Sequence, residues 1–334
     1  MTAVEPNPEV QVGPPVPYDA ELAAPLAAVY EFMPPGSLSA ETIPLMRQEN
    51  PAMPVPSLED LSLGGLYRVE ERQVPGPEGA PDISLLICLP AAAVGPVPVI
   101  YHTHGGGMIM GNNRNQMPEL LAQIKDLQAA LVSVEYRLAP ETPHPGPVED
   151  CYAGLVWTAA HASDLGIDPD RIVIAGASAG GGLAAAVALL ARDRGGPALY
   201  AQMLMCPMLD DRNNTPSAVQ MAGVGVWDRQ ANEVGWTALL GAAVGGPDVS
   251  PYAAPARASD LSGLPPAFID VGSAETFRDE AVTYASRIWQ AGGQAELHVW
   301  PGGFHGYYFM VPQAPISEES IAAQRNWLHR VLSA

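Results

Sequence analysis

The sequence predicts an α/β domain: a mostly parallel sheet of eight strands, helices on both faces, and a helical cap over one edge. Three observations carry this. Eight short apolar runs recur along the chain, and from the third onward helical segments alternate with them. The alternation breaks between Met208 and Pro255, where no strand pattern occurs. Alternation of helices with near-continuous apolar strands is the pattern of a sheet covered on both faces.

Taken in order, residues 1–17 are proline-rich and acidic and are expected to form a flexible tail. Helical patterns follow near 19–32 and 39–49, broken by Pro34-Pro35 and ended around Asn50-Pro51. Strand runs are expected near 66–74, 83–89, 97–102, 130–136, 171–175, 200–206, 266–271 and 295–300. The first two, joined by the turn-rich segment Pro75–Asp82, form an antiparallel hairpin at the sheet edge. Helices are expected near 114–129, 147–162, 179–193, 277–291 and 317–332, with one more near 228–241 inside the interruption. The chain thus divides into a tail (1–17), an N-terminal part of the cap (18–60), a catalytic domain in two pieces (61–207 and 250–334) and an inserted part of the cap (208–249).

The chain has 334 residues and is 48% apolar, ample for one large core. With 36 acidic against 16 basic residues its net charge is −20, and Lys125 is its only lysine. So acidic a surface repels phosphate backbones and anionic lipid, which excludes nucleic acid and membrane as partners. Ile172–Ala191 is uncharged and long enough to span a bilayer. Its β-branched start, central glycines and alanine-rich end instead predict a buried strand, a tight turn and a buried helix. Three cysteines (Cys88, Cys151 and Cys206) cannot pair completely, and none lies in a CxxC motif, so neither a disulfide framework nor a zinc ribbon is expected. No signal-peptide pattern opens the chain, and the expected compartment is the cytoplasm.

The chemistry centres on Gly176-Ala177-Ser178-Ala179-Gly180, which follows a strand and opens a helix. Glycines two residues either side of a serine let strand and helix approach, so that the hydroxyl projects above the sheet at a helix N-terminus. His104-Gly105-Gly106-Gly107 directly follows another strand. Its glycines can turn N–H groups into a cavity without side-chain obstruction, as a tetrahedral oxyanion requires. His305 lies between glycines in a loop after the last strand. His102-x-His104 is a weak metal pair without a third ligand, and no metal is expected.

Together with Tyr136–Glu141, His144-Pro145 and Glu149-Asp150, these motifs resemble the hormone-sensitive-lipase-like branch (family IV) of the α/β-hydrolases, in order and spacing, from about residue 62 to the C-terminus. The resemblance implies the α/β-hydrolase fold, a Ser-His-Asp/Glu triad and no cofactor. It implies Ser178 as nucleophile, His305 as base, and oxyanion donors at Gly106, Gly107 and Ala179. The family's acid lies in Asp-Pro-Leu followed by Arg-Asp-Glu. This chain has Glu275-Thr276-Phe277 and then Arg278-Asp279-Glu280, so Glu275 is the expected acid, with Asp279 and Asp270 as alternatives. Ala177 stands where the family usually has aspartate or threonine. Met108, Met110, Met208, Trp227 and Tyr307 are candidates for an apolar substrate pocket.

The expected activity is hydrolysis of small short- to medium-chain or aromatic carboxylic esters. A deacetylase, lactonase or amidase would use the same residues. A receptor on this fold, as in plant gibberellin perception, loses the histidine that is present here as His305. An apolar edge strand at Ala295–Trp300, without lysine or proline, predicts a homodimer, as the resemblance also implies.

Overall fold

The computed structural model of the chain describes residues 11–32, 34–48 and 55–333. Its sheet has eight strands: β1 (Tyr67–Val74), β2 (Ile83–Pro90), β3 (Val97–Thr103), β4 (Ala130–Glu135), β5 (Ile167–Ala177), β6 (Ala201–Met205), β7 (Ala267–Gly272) and β8 (Ala295–Trp300). Their order across the sheet is β1-β2-β4-β3-β5-β6-β7-β8. β2 runs antiparallel to β1 and β4, and all other pairs are parallel. Every residue of β3, β6 and β7 is buried, as strands covered on both faces must be. β1 alternates buried ends with exposed polar residues, which suits an edge.

Helices fill the crossovers at α4 (Met117–Ile124), α5 (Gly146–Ala160), α6 (Ala162–Leu165), α7 (Ala179–Arg194), α10 (Arg278–Gln290) and α12 (Pro315–Leu332), with α11 (Tyr307–Met310) a single turn. α7 is the central helix. Its residues Ala179–Ala191 are all buried, and nine of these thirteen are glycine or alanine, so they occupy little space against β5, β3 and β6.

The segments outside the sheet are more broken than the helical patterns suggest. α1 (Ala20–Phe32) forms as expected, but the pattern at 39–49 yields only α2 (Ile43–Met46), and α3 (Leu58–Leu61) was not expected. Thr42 turns back on Ser39 and Ser37 before α2, and Ser57 makes a capping box with Asp60 that starts α3. Residues 49, 50 and 51–54 lie outside the described residues. Segment 208–249 holds α8 (Pro216–Gln220) and α9 (Arg229–Leu240), N-capped by Thr215 and Asp228.

Segment 208–249 hydrogen-bonds to the N-terminal segment through Gln230 Nε2 to the Gly36 carbonyl (3.3 Å) and the Gly225 N–H to Tyr30 Oη (2.7 Å). The Pro14 carbonyl accepts from Gln220 Nε2 at 2.8 Å. Buried Asp211 ties the segment to the body through a bidentate pair with Arg257 at 2.7 and 2.9 Å.

Candidate active site

The register of the sheet brings the motifs together. At the carboxyl ends of β3 and β5, Thr103 pairs with Gly176, so the glycine loop after β3 and the serine turn after β5 leave the sheet side by side. At the ends of β7 and β8, Gly272 pairs with Trp300, and the acid and histidine turns leave together.

Ser178 has φ +58° and ψ −126°, a strained conformation for a residue with a side chain. Its N–H donates to the Met205 carbonyl (2.8 Å), and its carbonyl accepts from Gly182 (3.0 Å) and Met208 (2.9 Å). The approach that forces this turn leaves no room for side chains. A Cβ on Gly180 would lie 2.0 Å from the Thr103 carbonyl oxygen, and one on Gly176 would lie 2.4 Å from the Gly180 carbonyl carbon.

Ser178 Oγ lies 2.9 Å from His305 Nε2, and His305 Nδ1 lies 3.2 Å from Glu275 Oε1. Glu275 Oε2 accepts from the Gly272 N–H at 3.3 Å. The two turns are sewn together by Ser273 N–H to the Trp300 carbonyl (2.8 Å), Ala274 N–H to the Gly303 carbonyl (3.0 Å) and Gly302 N–H to Ser273 Oγ (2.8 Å). Phe277 meets the imidazole edge to face at 5.0 Å. Glutamate in place of aspartate therefore still reaches the ring.

The alternative acids point elsewhere. Asp279 accepts from the Ser217 N–H at 2.7 Å and pairs with Arg278. Asp270 Oδ2 accepts from Gln324 Nε2 (2.9 Å) and Ser320 Oγ (3.2 Å) of α12. Glu280, also buried, accepts from the N–H groups of Leu209 (2.6 Å) and Asp210 (3.3 Å), and burial pushes its carboxyl well up.

The glycine loop lies against the serine, with a Cβ on Gly105 falling 3.6 Å from Ser178 Cβ. Gly106 and Gly107 have φ +113° and +62°. Among the described residues, the N–H groups of Gly106, Gly107 and Ala179 donate to no acceptor in the protein. His104 shapes this loop: its ring stacks on Tyr136 at 4.0 Å, and Tyr136 Oη donates to the His104 carbonyl at 2.8 Å. Burial lowers the His104 pKa to about 4, so the ring is neutral. His102 Nδ1 lies 2.9 Å from Ser133 Oγ. From the N-terminal segment, Arg47 donates to the Ile109 carbonyl (2.6 Å) and the Ala139 carbonyl (2.7 Å) while pairing with Glu141.

The five pocket candidates separate. Trp227 lies on the glycine loop, so close that a Cβ on Gly107 would be 2.2 Å from its Cη2. Partly exposed Met110 packs its Cγ toward Gly106. Met208 is buried beside Gly235 and Met108 reaches toward Gly182 of α7, both within the core. Tyr307 is buried in a separate apolar cluster with Leu22 and Leu26 of α1 and Phe304. α1 thus packs on the histidine turn, and the Asp19 N–H donates to the Gly302 carbonyl at 3.1 Å.

Three residues near the triad were not singled out for the site in the sequence: Cys206, Ser217 and Thr276. Cys206 Sγ, a Glu275 oxygen and a His305 nitrogen lie within 4.8 Å of one another, although the acid and imidazole already engage each other. Burial and the nearby carboxylates of Glu275 and Asp270 push the Cys206 thiol well up, so it is protonated at neutral pH. No sequence motif marks it. Of Thr276 and Ser217, only Thr276 had a signal, in its departure from the family pattern.

A serine at a strand-to-helix turn, hydrogen-bonded to an imidazole that in turn meets a buried carboxylate, is the arrangement found in the serine hydrolases of the α/β-hydrolase fold. A family model described as alpha/beta hydrolase fold matches residues 100–309, and the chain belongs to the hormone-sensitive-lipase-like family of these enzymes. Carboxylesterase NlhH of Mycobacterium tuberculosis is 38% identical over 272 residues, 78% of this chain and 83% of that protein. Carboxylic ester hydrolase LipN of the same organism is 34% identical over 297 residues, 86% and 76% of the two chains. Among solved structures, a bacterial heroin esterase superposes with a TM-score of 0.81 at 38% identity, covering 94% of this chain and 98% of that one.

The Asp270 pKa gives a testable consequence. Burial raises it from 3.8 to about 6. Between those values the folded protein binds more protons at this site than the unfolded chain, so the contribution to stability falls as pH rises and stays lost above pH 6. Asp270→Asn keeps the shape without the charge. The Tm difference, variant minus wild type, should be more positive at pH 8 than at pH 4.5, by about 2–6 °C. An equal difference at both values refutes this.

Proposed function

We propose that this carboxylic ester hydrolase acts through an acyl-enzyme on Ser178. Ser178 Oγ attacks the ester carbonyl as His305 Nε2 takes its proton, and the imidazolium returns that proton to the departing alkoxide. Water, deprotonated by the same nitrogen, then releases the acid. Glu275 accepts from Nδ1–H, which keeps Nε2 free as base and stabilises the imidazolium. The N–H groups of Gly106, Gly107 and Ala179 receive the developing oxyanion, each such donor typically lowering the barrier by about 3 kcal/mol. The observation that carries this reading is the continuous contact from Ser178 Oγ to His305 to Glu275, at 2.9 and 3.2 Å.

The described residues of 18–60, together with 208–249, form the cap over this site, and a wall of Trp227 and Met110 suits short- to medium-chain or aromatic esters. His305 at hydrogen-bond distance from Ser178 supports catalysis over a receptor role. Three buried, unpaired thiols suit a reducing compartment such as the cytoplasm.

A p-nitrophenyl ester series from acetate to laurate is expected to show turnover that falls with chain length and vanishes in Ser178→Ala. A fluorophosphonate should label Ser178 in the wild type. A folded protein that neither turns over nor labels would refute the reading. Glu275→Gln is expected to lower kcat by a factor on the order of 10³–10⁴ with folding intact, as loss of tautomer control would require. Near-wild-type turnover would remove Glu275 from the triad.

Among the described residues β8 pairs with β7 on one side only, and its Glu296 pairs with Arg330 and lies 2.9 Å from His298 Nε2. A second copy of the chain pairs along this edge, giving a homodimer. Light scattering at micromolar concentration should give twice the chain mass, and a monomeric mass refutes it.

A further inference from the structure

Thr276 follows Glu275 directly, where the family pattern has proline, a residue with neither hydroxyl nor N–H to donate. It is buried, and its Oγ1 donates to the Trp227 carbonyl at 2.7 Å. Its own carbonyl accepts from Ser217 Oγ at 2.8 Å. Asp279 completes the junction, accepting from the Ser217 N–H at 2.7 Å and donating its own N–H to Ser217 Oγ at 3.1 Å. Beyond Trp227, the indole lies over Gly107, and a Cβ on Gly235 would fall 3.3 Å from its Cζ2. Thr276 is therefore one residue from the acid and one hydrogen bond from the aromatic side chain that walls the oxyanion loop.

We propose that Thr276 is a positioning residue that sets ester specificity: its hydroxyl fixes the Trp227 main chain, and so the indole, in register with Glu275 and Gly107. A buried carbonyl needs a donor, and Thr276 is the donor in one geometry. Without it, the Trp227 main chain must shift to find another. The indole then keeps only its Nε1–H bond to Asn232 Oδ1, at 3.3 Å. Since Trp227 stands against Gly107, a looser indole opens space for long acyl chains and fits acetate less well. This inference rests on the Ser178-His305-Glu275 reading.

The test compares wild type, Thr276→Val and Thr276→Ser on p-nitrophenyl acetate and octanoate, each rate divided by the sites that a fluorophosphonate titrates. Valine keeps the shape and removes the donor. Thr276→Val should raise the octanoate-to-acetate ratio of kcat/KM by about five-fold or more, chiefly through KM. The pH profile of kcat/KM should stay in place, and Thr276→Ser should restore the ratio. A merely structural role would scale both esters alike. An unchanged ratio in Thr276→Val, or a serine variant that behaves like valine, overturns the proposal. Failure of the wild type to label at Ser178 identifies a failure of the triad reading and overturns the proposal with it.

Discussion

The site depends on one steric constraint, the approach of β3, β5 and α7 to within contact of each other's main chains. Gly176 and Gly180 stand where any Cβ would run into the main chain of a neighbouring element. Thr103 Oγ1 completes the junction by donating to the Gly180 carbonyl at 2.7 Å. With strand and helix this close, the residue between them has one way to turn, and Ser178 takes it at positive φ. A strained backbone of this kind costs about 1–3 kcal/mol. The fully buried small-residue face of α7 offsets it, because every methyl group along that helix leaves water.

Charge is arranged around the same point. Glu275, Asp270 and Glu280 are all buried on the side of the site where the histidine turn lies. Burial raises the carboxyls of Asp270 and Glu280, and the Glu275 carboxylate raises both further. The two outer acids are directed away from the imidazole, one onto α12 and the other onto main-chain N–H groups. Glu275 alone meets Nδ1. Burial and these carboxylates keep the thiol of Cys206, beside the imidazole, from ionising.

Much of this was legible in the sequence, for identifiable reasons. All eight strands fall within a few residues of their apolar runs, and for β3, β6 and β7 the reason is that a buried parallel strand writes its burial directly into composition. Ser178 and His305 were legible because glycines bracket them where main chains must approach. The fate of the methionines was not, since Met108 and Met208 face the core while Met110 faces the loop, and thioethers suit either place. Nor was the role of Arg47, whose guanidinium reaches residues 109, 139 and 141. A contact so distant in sequence leaves no periodicity. The shortness of α2 follows from Ser37, Ser39 and Thr42, whose local hydrogen bonds compete with the helix.

The unpaired N–H groups of Gly106, Gly107 and Ala179 bear on why such a site persists. A donor left without an acceptor costs about 1–3 kcal/mol when no water reaches it, and here three occur in the glycine loop and the serine turn. A fold selected only for stability would turn the loop to pair them or fill it with side chains. Instead Tyr136, His104 and Arg47 hold the loop open by binding its carbonyls and leaving its donors free. On the proposed acyl-enzyme mechanism, free donors held in this way are the condition for electrostatic preorganisation: they bind weakly to a neutral carbonyl oxygen and strongly to the oxyanion it becomes. In the proposed mechanism Trp227, held against Gly107, is also the wall beside which the ester must fit, so specificity and oxyanion binding share one contact.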